Sequence, residues 1–534
     1  MPTLNWIGKE KVVNHHQDVP YKILEKQYTY TDGKESSTGS SDNKIIHGDN
    51  LEALKSLLPE YEGKIDCIYI DPPYNTGNEG WVYNDNVSHP RLKKWLGKVV
   101  GKESEDLSRH DKWLCMMFPR LKLLNKLLSQ SGAIFISIDD NEQANLRLIC
   151  DEIFGVNNLL ANMIWEKSDS PKMDSKYFAN KHDHVICYAK SKSKVNLNRL
   201  KPDPSEIKHY NKVDDKGKKY YLKPLRAMGG QGETREARPN LYYALTDPDG
   251  NEVFPKLKDG RDGAWRWSSK KVEDEFSRIE WTSSKNGWNP NYKIFLTKKA
   301  YRPPETLLRH EKVGSNRTSK NEINEILKGT NSFETPKPTS LIEYLISVVC
   351  KKNSIILDSF AGSGTTAHAV LNLNKEDGGN RKFILVEMED YAQDITAERV
   401  KRVIDGYGKG KKAVDGTGGD FNYYELGKPL FNDDNLLNED VELSKILEYV
   451  WYSETKTSYK VTDEEFLLGT KEDVAYYFYY TKNSVTTLDM DFLRQIKTKA
   501  SSYIIYADNC LLDKDIMDKY HIIFKKIPRD ISRF

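Results

Sequence analysis

The sequence predicts an α/β fold: a Rossmann-like, doubly wound sheet, interrupted by an irregular insert and followed by a small α+β domain. Three observations carry this. Short apolar runs alternate with segments of helical period on both sides of the insert. A glycine turn opens a helix directly after one such run. The middle of the chain loses the alternation and becomes basic, Gly/Pro-rich and aromatic.

The elements follow in order. Residues 31–43 (TDGKESSTGSSDN) read as a flexible linker, and 406–420 (GYGKGKKAVDGTGGD) as a second. Residues 65–71 (IDCIYID) form a buried strand, because a strand covered on both faces shows no alternation. Residues 114–128 carry apolar side chains at helical spacing. Residues 133–138 (AIFISI) are a second buried strand, followed by a helix over 142–154, and 159–165 and 184–189 are further strands. Beyond the insert come a helix over 341–349, a strand over 354–358 (SIILD), the glycine turn, a helix over 365–374, a strand over 382–387 (KFILVE) and a helix reaching Val403. Patches over 475–480 and 502–506 are β-rich.

Composition excludes several classes. The chain has 534 residues, 30% of them charged, and 58 aromatic residues can fill its cores, so it is not a disordered chain. No apolar run approaches the ~18–20 residues of a membrane helix, and the N-terminal MPTLNW predicts no secretory signal. The six cysteines are scattered without a CxxC, which argues against a disulfide framework or a Cys-rich zinc site and fits a reducing cytoplasm. Net charge is only +2, but its distribution is uneven. Residues 190–330 hold 31 Lys+Arg against 19 Asp+Glu, whereas 415–534 hold 15 against 22. A basic middle between acidic flanks fits a polyanion-binding segment, or equally a lysine-rich solvated surface.

Two constellations carry chemistry. Asp71-Pro72-Pro73-Tyr74 follows a buried strand. Two prolines fix φ and remove two N–H donors, so Asp71 and the Pro72 carbonyl become rigid acceptors at a strand's carboxyl end, where open α/β sheets bind ligands. With Tyr74 as a flat plate, the set suits an amino group on a planar ring. The other is Asp358-Ser359-Phe360-Ala361-Gly362-Ser363-Gly364-Thr365. Its glycines admit close backbone approach and the helix start supplies N–H donors. No lysine follows Gly364, which excludes a phosphate-binding NTPase loop. Glu387 ends the next strand, where a carboxylate faces a ribose diol. Together these imply a nucleoside-containing cofactor.

In these motifs the sequence resembles the amino-methyltransferases of DNA, in the permuted arrangement where the catalytic tetrapeptide precedes the cofactor loop. Residues 46–54 (IHGDNLEAL) look like the segment whose acid, here Asp49, meets the cofactor adenine. Thr335-Pro336-Lys337-Pro338 looks like the segment closing over the methionine end, and 71–77 (DPPYNTG) is the extended signature. Trp6-Ile7-Gly8-Lys9-Glu10, Arg238-Pro239-Asn240-Leu241-Tyr242-Tyr243 and Ile527-Pro528-Arg529-Asp530-Ile531 are similar to modification subunits of type III restriction systems.

The resemblance implies S-adenosylmethionine as methyl donor and the N6 amine of a flipped-out adenine in double-stranded DNA as acceptor. Asp71, Pro72, Pro73 and Tyr74 would be catalytic. Asp49, Asp71, Lys337, Pro338, Asp358, Phe360, Gly362, Gly364, Thr365 and Glu387 would hold the cofactor. Five parts are expected: an N-terminal arm and linker (1–43), a catalytic half (44–190), a target-recognition domain (191–330), a cofactor-binding half (331–410) and a C-terminal assembly domain (411–534). Within these, Lys218, Lys219 and Lys223 would meet DNA phosphates. Phe178, in Tyr177-Phe178-Ala179-Asn180, is either a second plate for the flipped base or an ordinary core contact. His182 and His184 are read as structural, and no metal is expected. The acidic C-terminal part would serve a homodimer or a helicase–nuclease restriction subunit. The rival readings are a cytosine-N4 methyltransferase and a DNA-binding specificity subunit without catalysis.

Overall fold

The computed structural model describes residues 3–76, 108–170, 173, 175–202, 207–227, 232–284, 287–297, 301–328, 333–432 and 434–531. Gly77, the last residue of the extended signature, lies outside them. The chain divides into two units, 199–304 and everything else.

The larger unit is built on one mixed sheet. Its strands are β1 (Lys22–Thr31), β2 (Lys34–Ser36), β3 (Lys44–His47), β4 (Ile65–Ile70), β5 (Leu128–Ile138), β6 (Leu159–Glu166), β7 (His182–Ala189), β8 (Leu307–Leu308), β9 (Ile355–Asp358), β10 (Lys382–Glu387) and β11 (Asp420–Pro429). Their order is β8-β6-β7-β5-β4-β9-β10-β3-β11-β1-β2. The stretch from β5 to β11 is parallel, whereas β7 is antiparallel to β5, β6 to β7, and β1 to β11. The central runs read as continuous apolar strands because helices cover both faces. Those helices include α1 (Asn50–Tyr61), α2 (Arg109–Leu127), α3 (Gln143–Cys150), α4 (Asn316–Ile326), α5 (Thr339–Val349), α6 (Thr365–Asp377) and α7 (Glu398–Asp405).

The topology creates one crevice. From β4 the chain crosses to β5 on one side, and from β9 it crosses to β10 on the other. Strands β4 and β9 are parallel neighbours, with Cys67 opposite Ile356 and Ile68 opposite Leu357. The loops leaving them therefore diverge at the same sheet edge, the switch point where α/β sheets hold ligands.

The structure departs from the expected boundaries in four places. Residues 31–43 are not a loose linker: β1 runs to Thr31 and turns into β2 through Asp32 and Gly33, both at positive φ (50° and 75°). Asp-Gly in that conformation is the hairpin turn that matches strand twist. The second linker is likewise ordered, with Gly406–Tyr407 paired to Val414–Asp415. The insert's own unit, 199–304, is narrower than 191–330, because β8 pairs with β6 and α4 packs on α7 in the larger unit. Finally, the C-terminal part is not separate at residue 411. Strand β11 sits between β3 and β1, and Tyr449, Tyr452 and Tyr506 share the core of the main sheet. A further four-stranded sheet (467–471, 474–478, 502–507, 522–526) completes that part.

The smaller unit has an antiparallel sheet ordered 279–284, 287–295, 219–224, 212–213. Trp265 and Trp267 fill its core with Leu225 and Val272, while Trp281 and Trp288 are half-buried. It carries 23 Lys+Arg against 15 Asp+Glu, so the positive surplus survives the narrower boundary.

Candidate functional site

Asp71 leaves β4 at the switch point and is 7% exposed. Its Oδ2 is held by the Lys337 ammonium at 2.5 Å, itself in a residue only 9% exposed. Its Oδ1 is buried without a hydrogen-bond partner. Burial pushes the Asp71 carboxyl above its ordinary range, and the charge of Lys337 opposes this. Lys337 also sits 4.9 Å from the Tyr74 ring centroid and 6.0 Å from that of Trp165, so the ammonium is enclosed by a carboxylate and two aromatic faces. The Tyr74 hydroxyl is buried beside Asp71 without a hydrogen bond of good geometry; burial and the Asp71 charge raise its pKa, and its O–H helps hold the Asp71 pKa down.

The prolines do what their chemistry predicts. The Pro73 carbonyl accepts from the Trp113 indole N–H at 2.6 Å. Among the described residues no donor reaches the Pro72 carbonyl. After the turn Asn75 takes a positive φ of 56°, and its side chain is fixed by Glu142 and by the Arg109 carbonyl.

The glycine turn leaves β9 next to it. Asp358 accepts from the Phe360 N–H at 3.1 Å and from the Thr366 hydroxyl at 2.5 Å. The Gly362 N–H donates to Glu387 Oε2 at 2.7 Å, and the Glu389 N–H to Oε1 at 3.0 Å. Burial lifts the carboxyls of Asp358 and Glu387 to about 7 each, against the hydrogen bonds that favour ionisation. Gly362 has φ 53°, and a side chain there would meet the Phe333 ring at 3.2 Å.

A narrow cleft lies between the two turns, lined among others by Asp71, Phe333, Lys337, Asp358, Phe360 and Thr365. The structure thus brings together Asp71, Lys337, Asp358, Phe360, Gly362 and Thr365. Glu387 stands behind the turn and acts on it through Gly362. Gly364, Pro338 and Asp49 do not line the cleft. Gly364 is needed for its φ of 79° and for packing, since a Cβ would meet the Thr396 carbonyl at 3.1 Å. Pro338 precedes α5 as its cap residue. Asp49 caps α1, accepting from Leu51 and Glu52 N–H groups at 2.9 and 3.2 Å, with Arg120 3.6 Å away.

The sequence reading missed Arg399. It is fully buried, and its guanidinium donates to Ser363 Oγ, Thr365 Oγ1 and Thr339 Oγ1 at 2.8–3.0 Å, with Glu322 at 3.3 Å. It ties the glycine turn to α4 and α5. The signal was its spacing: Arg399 falls three residues after Thr396 and four before Val403, both buried.

Phe178 and Tyr177 lie on the loop from β6 to β7, at the same sheet edge as Asp71. Phe178 is 99% exposed, so the core-contact reading does not hold. Lys218 and Lys219 are exposed, and Lys223 is half-buried, in the smaller unit.

Adjacent parallel strands ending in an Asp-Pro-Pro-Tyr turn and a glycine turn thus set a buried carboxylate and a positive-φ glycine over one cleft. The chain belongs to the DNA methylase family (N6_N4_Mtase), which matches residues 65–398. It is 34% identical to the EcoPI Mod subunit of a type III restriction-modification enzyme from Escherichia phage P1, over 73% of this chain and 64% of that protein. It is 35% identical to the StyLTI Mod subunit from Salmonella typhimurium, over 67% and 54%. It is also 34% identical to the type II methyltransferase M.KpnI of Klebsiella pneumoniae, over 66% and 82%. The chain thus spans less than two thirds of the length of these two Mod subunits. No helix among the described residues is long and apolar enough to cross a membrane.

Proposed function

We propose that this chain methylates the N6 amine of adenine in double-stranded DNA, using S-adenosylmethionine, as the modification subunit of a type III restriction-modification system. The observation that carries the reading is Asp71. One of its carboxylate oxygens is held by Lys337, and the other is buried and unsatisfied at the mouth of a cleft floored by the glycine turn.

The residues present fit the cofactor. The cleft has carboxylates, a lysine, a glycine at positive φ and two phenylalanines. Lys337, Phe333, Phe360, Gly362 and Thr365 would hold it, with Asp358 and Glu387 setting the turn. When bound, S-adenosylmethionine supplies a methyl group on a sulfonium, open to direct displacement. The exocyclic amine is a poor nucleophile because its lone pair is delocalised into the ring. Asp71 Oδ1 and the Pro72 carbonyl accept its two hydrogens and draw the nitrogen toward tetrahedral geometry, which frees the lone pair. This is positioning and preorganised electrostatics, with no covalent intermediate. The raised pKa of Asp71 suits it to take the proton the amine releases. A base in duplex DNA must leave the stack to reach such a turn, and the exposed Phe178 offers it a stacking face.

The net-positive 199–304 unit is the candidate for target recognition. The acidic C-terminal part is the candidate surface for a second copy or for a helicase–nuclease subunit, and the cytoplasm is the expected compartment. The test is digestion of DNA methylated by the purified chain, followed by mass spectrometry of the nucleosides. N6-methyladenine is expected. N4-methylcytosine would replace the adenine reading, and no methylated base would leave a specificity subunit.

A further inference from the structure

His182 and His184 begin β7, and a two-residue spacing on a strand turns both rings to one face. Their centroids are 5.3 Å apart. Antiparallel pairing sets His184 opposite Ile138 at the end of β5. Continuing that register brings Asp140, two residues past Ile138, beside His182. His184 Nε2 lies 3.0 Å from Asp140 Oδ1, and one ligand atom from each of the three residues falls within 4.8 Å of the others.

We propose that Asp140, His182 and His184 form a binding site for a divalent transition-metal ion of the zinc type. Two imidazoles and one carboxylate are a donor set that Zn²⁺ accepts, with water in the fourth position, whereas Mg²⁺ and Ca²⁺ prefer all-oxygen sites. Modest side-chain rotation closes the three atoms onto bonds of about 2.0–2.2 Å. Supporting partners are in place. Asn162 Oδ1 is 3.3 Å from His184 Nδ1, which favours the tautomer that leaves Nε2 a lone pair. Asn180 donates to Asp140 Oδ2 at 2.9 Å. Among the described residues no lysine or arginine pairs with Asp140, so no fixed cation must be displaced. A second cluster, Glu166, His310 and Glu311, lacks this property, because Lys181 pairs with Glu166 at 3.1 Å. An ion at the first cluster ties the end of β5 to the start of β7, next to the loop bearing Phe178.

The experiment is calorimetric titration of the untagged, chelator-stripped full chain with ZnCl₂, together with visible spectroscopy of the Co²⁺ form. One ion per chain is expected, with four-coordinate cobalt bands. His182→Ala/His184→Ala should abolish both signals. Asp140→Asn, an isosteric change at a side chain 60% exposed, should weaken binding about 10-fold or more. His310→Ala should change neither. Absence of stoichiometric zinc overturns the proposal. So does unchanged affinity in Asp140→Asn, loss of binding in His310→Ala, or equal affinity for MgCl₂.

Discussion

Lys337 grips one carboxylate oxygen of Asp71 at 2.5 Å and leaves the other unsatisfied. The two residues are 266 positions apart in sequence, on the loops that flank the cleft. The Lys337 charge opposes the burial that raises the Asp71 pKa, and its grip on Oδ2 leaves Oδ1 open to a further donor.

Asp71→Asn preserves shape but replaces an acceptor by a group that also donates. By analogy with removal of one preorganised electrostatic group, kcat should fall about 10²–10³-fold. Cofactor affinity, measured by calorimetry, should stay within a few-fold of wild type. Near-normal turnover would remove Asp71 from the amine-binding role.

Lys337→Met removes the charge that opposes burial. The Asp71 pKa, already raised, should rise further. The acid limb of the kcat/KM profile should therefore move to higher pH, with activity lost at neutral pH and partly regained in alkali. A uniform loss at every pH would mean that Lys337 acts on the cofactor alone.

Asp358 and Glu387 add a pH dependence of opposite sign to ordinary carboxylates. Their folded pKa values, about 7, lie above the unfolded ones of 3.8 and 4.5. The native state therefore binds more protons across that window. Their contribution is fully present below about pH 4 and is lost as pH rises through 7. Above about pH 5.5, where most other carboxylates stay ionised, Tm should fall towards about pH 8. The fall should flatten in Asp358→Asn/Glu387→Gln, as differential scanning fluorimetry would show.

Much of this site was legible before the structure. Asp71 and Gly362 announce themselves because proline pairs and glycine turns have local causes: fixed φ, missing donors, positive φ. The partner of Asp71 was legible only as a motif residue of the cofactor segment. The Lys337–Asp71 contact is made by tertiary packing, which leaves no local trace. Asp49 and Gly364 show a structural demand that the motif reading did not foresee. Each sits in the expected motif and also carries a structural demand, a helix cap for one and a φ of 79° against the Thr396 carbonyl for the other. The linker reading of 31–43 failed for a further reason. Its Ser/Gly composition outweighed the Asp32-Gly33 hairpin signal, although β1 needed a partner beyond it.

Phe178 is a solvent-facing ring at the sheet edge that bears Asp71. Phe178→Ala should leave Tm unchanged, because nothing is unpacked. If the ring stacks on the displaced base, target-DNA affinity should drop by about 1–3 kcal/mol. Competition binding against a duplex with an abasic target position separates stacking from a general loss: there, wild type and variant should bind alike.

DNA affinity should fall steeply with salt, and the smaller unit should be the cause. Its 23 basic against 15 acidic residues persist after the boundary narrows to 199–304. If about 6–10 phosphates are neutralised, raising salt from ~50 to ~200 mM should cost roughly 10³–10⁵ in affinity. Lys219 and Lys223 are four apart on one strand and so share a face, and Lys218 precedes them in the turn. Charge reversal of all three should reduce the log–log slope by about 0.9 for each phosphate that is no longer neutralised. The methylated sequence should not change, because phosphate contacts position a protein and base contacts specify. A salt titration of wild type and triple variant on a methylatable duplex decides it. Identical slopes would assign these lysines to a solvated surface and move the phosphate-binding role to other basic residues.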